Sequence, residues 1–362
     1  MSSSLSSADF ALSLLKTGSK HDENFVLSPF SLGAALALVH DGARGETQQQ
    51  LTNLLLKDSS ASAVTDHYSA LTSDLKAASG DVTTNVANRL FLDDEFDPKP
   101  AYLKHVEEKY AAGVEKLALK KESDKSAQTI NKFVSDKTEG MIKQIVKADA
   151  LSEAVAVIIN AIYFKGKWKQ EFSKDRTSDD TFHGVKGDRQ VPFMRNKVDG
   201  QYGETDDVQC VAIPYKDTSY SLVVMMPKGD FATWRASLNG AKFQEALGNM
   251  SKCKINLELP KFKIESTLPA KETLVKLGVN HIFCSPDLGE ITDDPRVCVS
   301  DVIHKAVIDV SESGTTAAAS TAVKMKTKCL RKSIEPKDFR VNRPFLYSVS
   351  ARGRILFNGQ MV

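Results

Sequence analysis

The sequence predicts one mixed α+β domain, and three observations carry that prediction. Segments with a helical period and segments with strand character both occur along the chain. No shift in composition and no internal repeat marks a boundary anywhere in its 362 residues. That length suffices for one large domain, residues 1–362, with a substantial core. Hydrophobic content of 41% and charged content of 26% are those of an ordinary soluble globular protein. The formal net charge of +2 calls for neither a nucleic-acid nor a membrane partner. No apolar run approaches the ~20 residues needed to span a bilayer.

Taken in order, Phe10, Ala11, Leu14 and Leu15 form a helix face over Ala8–Leu15. The opening MSSSLSSADFALSLLK has no basic n-region and acquires helical periodicity at once. It does not read as a secretory signal, which predicts a cytosolic or nuclear protein and leaves an extracellular one open. Phe25-Val-Leu-Ser-Pro-Phe-Ser31 opens a second helix, Leu32–His40, with Ser28 and Ser31 where hydroxyls commonly cap. Turn chemistry at Gly42-Ala-Arg-Gly-Glu-Thr47 leads into mixed helix as far as Ala78, and Val82–Leu92 reads as a strand. Tyr102–Tyr110 and Ile130–Ile145 are helical, the second with Ile130, Phe133, Val134, Met141, Ile142 and Ile145 apolar. Ala154–Ala161 is a continuous β-branched apolar run, too short for a buried helix, and predicts a central strand covered on both faces. Tyr220–Met226 is a similar strand. Lys254–Ile264 alternates, with Pro260 marking an edge or a break. Leu268–Leu277 is a short helix, Val297–Val310 a strand, and Pro344–Val349 and Ile355–Phe357 are β-like.

Between those last strands the chain loses the pattern of a packed element for about thirty residues, Ser311 to Val341. Loops of that length inside compact domains are uncommon and mark disorder or function. Gly314–Ala322 holds only Gly, Thr, Ala and Ser. Ala322–Ile334 carries Lys324, Lys326, Lys328, Arg331 and Lys332 with no acidic residue. A flexible linker with a solvated basic tip would have this composition. Only about twenty residues follow, however, too few for another domain, so the loop leaves one fold and returns to it. Thr315, Ala317, Ala319 and Thr321 could all face inward if this segment became a strand. The basic tip is suited to a trypsin-like protease.

Catalytic signatures are missing. The chain has no GxSxG, HExxH or GxxxxGK[ST] motif. Its two SxxK matches, Ser13–Lys16 and Ser73–Lys76, show only how loose that pattern is. Five cysteines (Cys210, Cys253, Cys284, Cys298 and Cys329) stand without CxxC or histidine pairs and read as free thiols. No metal site and no cofactor is predicted, and the protein is not expected to be an enzyme. Lys116, Lys120, Lys121 and Lys125 read as a solvated face. His304, among apolar strand neighbours, reads first as a hydrogen-bonded core histidine.

Several of these segments together resemble the serpin family over nearly the whole chain. Glu312-Ser-Gly-Thr-Thr-Ala-Ala-Ala-Ser-Thr321 is similar to the reactive-loop hinge of inhibitory serpins. Val341-Asn-Arg-Pro-Phe-Leu-Tyr-Ser-Val349 and Ile355-Leu-Phe-Asn-Gly359 resemble the C-terminal signature and last strand. SPFS, GARGET, Ala87-Asn-Arg-Leu-Phe91, Ile130-Asn-Lys-Phe-Val134 and NAIYFKGKW follow the family in order, with Phe133 where Trp is usual. Lacking a leader, the chain resembles the intracellular, ovalbumin-like members. The resemblance implies three β-sheets, about eight or nine helices and a long exposed reactive loop. It implies that Ser28, Ser31, Asn160 and His304 form a polar cluster under the central sheet, where the strands must part. Trp168 would mark the top of that sheet, and Glu312 the root of the hinge.

The function implied is suicide inhibition by a monomer. A protease attacks the loop and forms its acyl-enzyme, after which the cut loop adds a strand to the central sheet. About 14 residues at ~3.3 Å each would carry the acyl end roughly 45 Å, too far for a distorted protease to finish deacylation. The native state would be kinetically trapped. The hinge proper is Gly314, Thr315, Thr316, Ala317, Ala318, Ala319, Ser320 and Thr321, all small, although Thr316 stands where Glu is common. Family spacing from Gly314 puts the scissile bond at Lys328–Cys329. Counting back from Asn342-Arg-Pro-Phe leaves Arg331 and Lys332, and Lys326 also stays open. Basic candidates favour a trypsin-like S1 pocket holding a carboxylate. Cross-class inhibition of cathepsin-like cysteine proteases and a non-inhibitory carrier or chaperone are the alternatives. Bulky or charged hinge residues would mark the last of these, and this hinge has none.

Overall fold

The structure is a computed structural model that describes residues 2–76, 81–110, 112–315 and 335–362. In chain order its elements are α1 (Ser2–Gly18), β1 (Phe25–Leu27), α2 (Pro29–Gly42), α3 (Gly45–Leu55), α4 (Ala61–Lys76), β2 (Val82–Asp93), α5 (Pro100–Tyr110), β3 (Gly113–Leu117) and α6 (Ser123–Lys137). There follow β4 (Ala156–Lys167), β5 (Ser178–Gly184), β6 (Gly187–Glu204), β7 (Val208–Pro214), β8 (Tyr220–Pro227), α7 (Phe231–Ser237), α8 (Gly240–Gly248), β9 (Ser251–Pro260) and β10 (Phe262–Leu268). The chain closes with α9 (Ala270–Lys276), α10 (His281–Cys284), β11 (Val299–Ser311), β12 (Gly314–Thr315), β13 (Lys337–Arg340), β14 (Phe345–Ala351) and β15 (Arg354–Met361). The α+β class predicted from the pattern is therefore what forms.

The sheet that carries the candidate site has the order β10-β11-β12-β4-β2-β3. Strand β4 is its centre, and from Ala156 to Phe164 every residue is buried. Alternate side chains of β4 point to opposite faces. Ile158 and Ile162 join the main core on the α2 side, whereas Val157, Ile159 and Ala161 meet Ile130 and Val134 of α6 on the other. That double covering explains the unbroken apolar run. Helix α2 is buried along nearly its whole length, as expected for a helix apolar all round. Ser28 caps it, accepting from Ser31 N at 3.1 Å, and Pro29 occupies the first turn, where its missing N–H costs nothing.

Three details correct the sequence reading. The helix foreseen over Ile130–Ile145 ends at Lys137, because Glu139 (φ 52°) and Gly140 (φ 74°) turn the chain. Two of the three implied sheets are hydrogen-bonded into one nine-stranded sheet. Strand β6 joins them, pairing with β5 near its start, with β7 near its end, and with β9 between Phe193 and Tyr202. The described residues form ten α-helices, not eight or nine, since short pieces such as α10 count among them. Pro260 does mark a break: β9 lies in the large sheet and β10 in the central one.

Candidate functional site: a seam in the central sheet and the hinge above it

Strands β4 and β11 run parallel and side by side, in register from Ala156/Val299 to Tyr163/Val307. Above that they diverge, and β12 occupies the fork. Gly314 and Thr315 pair antiparallel with Ser311 and Val310 of β11 on one side and with Lys167 and Gly166 of β4 on the other. The first two hinge residues are thus already strand, seated between the strands that an inserting loop would separate. Gly314 has φ +146°, and a side chain there would collide with the Gly166 carbonyl. Only glycine fits this position.

Thr315 is fully buried, and its hydroxyl lies 2.7 Å from the Tyr215 hydroxyl. Tyr215 stacks on Trp168 at 4.6 Å between ring centroids and 9° between planes. Burial raises the Tyr215 pKa well above the usual phenol range, so this phenol remains a neutral donor or acceptor. Trp168 donates from Nε1 to the Ser311 carbonyl at 2.8 Å, and its backbone N–H donates to Ser313 O at 3.1 Å. Phe172 N donates to Glu312 O at 2.8 Å, and the Glu312 carboxylate pairs with Lys261 at 3.0 Å. Burial pushes that carboxyl up, but hydrogen bonds from backbone and Lys261 help to outweigh it and hold the pKa below the ordinary value. The root of the hinge is accordingly pinned at several points.

Midway along the seam sits the polar cluster. His304 on β11 is directly opposite Asn160 on β4, which in turn is opposite Asn88 on β2. Ser28 N donates to His304 Nε2 at 3.0 Å, so Nδ1 carries the ring proton and gives it to Asn160 Oδ1. The Asn160 amide donates to Ser31 O at 3.0 Å, to Ser31 Oγ at 2.6 Å, and to Asn88 Oδ1. Ser28 Oγ donates to Leu356 O at 2.5 Å. Complete burial pushes the His304 pKa down to about 3, which keeps the ring neutral. A strand entering between β11 and β4 must break the His304–Asn160 bond.

Ser28, Ser31, Asn160 and His304 therefore lie in one hydrogen-bonded cluster, and Trp168, Glu312, Gly314 and Thr315 gather above them. The other hinge calls, Thr316, Ala317, Ala318, Ala319, Ser320 and Thr321, and the bond call Lys328–Cys329 lie outside the described residues. Tyr215, Lys261 and Asn88 were missed. Asn88 carried a signal, being the polar residue of the Ala87–Phe91 segment on a strand next to β4. Tyr215 and Lys261 carried none. Among the described residues there is no cluster of His, Cys, Asp and Glu able to hold a metal, and Cys210, Cys253, Cys284 and Cys298 are free. No described helix is long and apolar enough to cross a membrane.

Comparison with known proteins agrees with this geometry. The family model described as serpin (serine protease inhibitor) matches residues 5–362. An uncharacterized serpin-like protein of Thermococcus kodakarensis is 31% identical over 358 residues, covering 98% of this chain and 84% of its own. The leukocyte elastase inhibitor of Homo sapiens is 31% identical over 376 residues, covering 98% of each. The native-state crystal structure of the thermophilic serpin tengpin superposes with a TM-score of 0.90 at 28% identity, covering 99% of this chain and 93% of that one.

Proposed function

This chain belongs to the serpin family, and from that premise we propose that it inhibits a trypsin-like serine protease as a suicide substrate. The observation that carries the reading is the seating of Gly314 and Thr315 in the fork between β11 and β4. Strand addition at this fork needs no new nucleus, because the first two residues already pair on both sides. On cleavage the loop N-terminal to the cut is freed at its far end. It extends β12 downward, parting the seam one residue at a time and breaking the His304–Asn160 tie as it passes. Its small side chains support this role, since each must enter a packed sheet faster than the acyl-enzyme hydrolyses. The protease travels with the acylated end and loses the geometry that deacylation needs. The scissile bond in this reading is Lys328–Cys329, and the protein acts as a cytosolic monomer and a single domain.

The test is direct. The protein is mixed with trypsin at several ratios and run under denaturing conditions. A complex that survives denaturation and is split by hydroxide, as an ester would be, is the expected result. Cleavage of the loop at every ratio without such a complex refutes the proposal. The same mixture with a cysteine cathepsin measures the cross-class alternative.

A further inference from the structure

Gly314 and Thr315 fix more than the place of strand addition; they also fix its register. Gly314 faces Lys167 of β4 and Ser311 of β11, and Thr315 faces Gly166 and Val310. Both pairings are antiparallel, so each further residue of the same strand steps one residue back along β4 and one back along β11. Those two strands are in parallel register, with His304 beside Asn160 and Asp301 beside Val157. Counting down from Thr315 therefore gives the same rows on either side. Nine residues back from Gly166 is Val157, and nine back from Val310 is Asp301. The residue that falls in this row is Lys324, roughly 30 Å below Thr315 at ~3.3 Å per residue. It is the last row that both strands can receive in step, because their register slips between Val299 and Asp301.

The chemistry of that row is uneven. Lys324 is an odd number of residues from Thr315, so it belongs to the opposite face of the sheet, the α6 side. Val157 and Ile303 pack there against the cluster of Ile130 and Val134, and Asp301, two residues before Ile303, shares the face. Asp301 is half-buried and makes no ion pair among the described residues; its Oδ1 accepts only from Val302 N, at 2.7 Å. Lys271 and Glu272 of α9 act on it with opposite sign, and Lys271 Nζ is given to Ser300 O at 2.8 Å. Burial pushes the Asp301 carboxyl up from its ordinary range. Above this row, Lys305 of β11 is already paired with Glu265. Lys324 lies outside the described residues, but its place in the sequence is informative. Every residue from Gly314 to Val323 is uncharged, so the first cation of the loop falls in the row of the unpaired carboxylate.

We propose that Asp301 is a positioning residue for loop insertion, pairing with Lys324 in the last row and holding the inserted strand there. The inference rests on the insertion reading above and adds what ends the movement. Without such a partner the lysine enters the layer beneath α6 as an unpaired charge, which is costly. The candidate scissile residues, Lys326 to Lys332, all lie beyond Lys324, so it inserts whichever bond is cut.

The test changes Asp301 and leaves the loop, and hence its cleavage, as it is. Asp301→Asn and Asp301→Lys are mixed with trypsin, and the chains consumed per trypsin trapped are read from denaturing gels. Asp301→Lys should consume about tenfold more than its parent, because two cations then share the row, and Asp301→Asn an intermediate number. The uncut Asp301→Asn chain should melt no lower than its parent, since the lysine is not yet in the sheet. Lys324→Glu alone should also lose trapping. Combined with Asp301→Lys it reverses both charges and should restore trapping, a rescue that a merely structural role for Asp301 does not give. Parental stoichiometry in Asp301→Lys, or failure of the double reversal to rescue, overturns the pairing. If the unaltered protein traps no trypsin at all, the inhibitor reading has failed, and the pairing is judged on cut chains that retain Lys324. Cut Asp301→Lys should then melt below the cut parent, and the double reversal should regain the difference; equal midpoints overturn the pairing as well.

Discussion

Replacing Thr315 by arginine tests the insertion mechanism at its first step. Thr315 is fully buried between β11 and β4, with its hydroxyl 2.7 Å from that of Tyr215. A guanidinium cannot take that place beside the stacked Tyr215 and Trp168, so the hinge of the variant must leave the fork. After cleavage, insertion has to carry an unpaired charge into the sheet interior, a cost of several kcal/mol. If ~3 kcal/mol of it falls on the insertion barrier, insertion slows about 100-fold, at ~1.4 kcal/mol per factor of ten. Deacylation by the protease is unaffected. An inhibitor that acts near one mole per mole should therefore become a substrate. The assay is residual trypsin activity against the molar ratio, read with a gel for complex and cleaved chain. Thr315→Val is the companion, because it leaves the Tyr215 hydroxyl unpartnered, at ~1–3 kcal/mol, yet can enter the sheet. It should still inhibit. Wild-type stoichiometry in Thr315→Arg, or equal failure of Thr315→Val, would refute the reasoning.

Other outcomes follow from the same contacts. His304→Ala strips partners from Ser28 N and from the Asn160 carbonyl, each at ~1–3 kcal/mol, so mild heating should give self-associated or latent chains on native gels; a variant that melts as a monomer like its parent counts against a guarding role. His304 is held neutral, its pKa pushed down to about 3 by burial against ~6.5 in an unfolded chain. The unfolded state therefore binds the proton first, and the stability tied to this ring is full above ~6.5 and lost as pH falls, by up to ~1.4 kcal/mol per unit. Asp41, whose carboxylate is buried but accepts from His40, Thr65, His105 and Tyr110, has a lowered pKa and adds a loss of the same sign at lower pH. Denaturant midpoints that stay flat between pH 7 and 5 would contradict the His304 assignment. Lys328→Ala should abolish trapping of trypsin if the bond is Lys328–Cys329, and only weaken it if Arg331 or Lys332 is used; the peptide released from the complex, read by mass spectrometry, should begin with Cys329.

Much of the seam was legible because its residues carry strong local signals. The run Ala154–Ala161 is apolar at both phases because α2 and α6 cover both faces of β4. His304 stood out as a polar residue among apolar strand neighbours, whereas Asn160 was reached only through the family resemblance. Their direct opposition was not legible, since a parallel pairing between residues 144 apart leaves no trace in local periodicity. Residues 178–214 were left unread for a different reason. Strand β5 has a single buried side chain, Phe182, and much of β6 is half exposed, so charged residues interrupt the alternation. The overlong helix at Ile130–Ile145 has a physical cause as well. Ile142 lies beyond the turn at Gly140 yet packs into the same cluster as Ile130 and Val134, so its apolar character continues although the helix does not. Phe133, which stands where the family usually has Trp, holds the Arg89 guanidinium over its ring.

The proposed mechanism opens the sheet at the β4–β11 boundary, and the pairing of the neighbouring strands bears on that choice. Strand β2 is bound antiparallel to β4 from Val82/Gly166 to Leu92/Ala156, and β10 to β11 from Phe262/Val310 to Leu268/His304. The β4–β11 boundary is parallel, carries an irregularity between Val299 and Asp301, and is crossed at its middle by the polar His304–Asn160 pair. Parallel pairing is slightly the weaker kind. A strand that enters here in the direction of β12 replaces one parallel boundary with two antiparallel ones, so each inserted residue adds backbone hydrogen bonds on balance. On the proposed mechanism this is the source of the stored free energy: the native sheet lacks a strand that its two central neighbours are already oriented to receive. What prevents spontaneous filling is then local, namely an uncut loop held at both ends and a buried histidine tying β11 to β4. Cutting the loop removes the first restraint and leaves the second as the step that insertion must overcome.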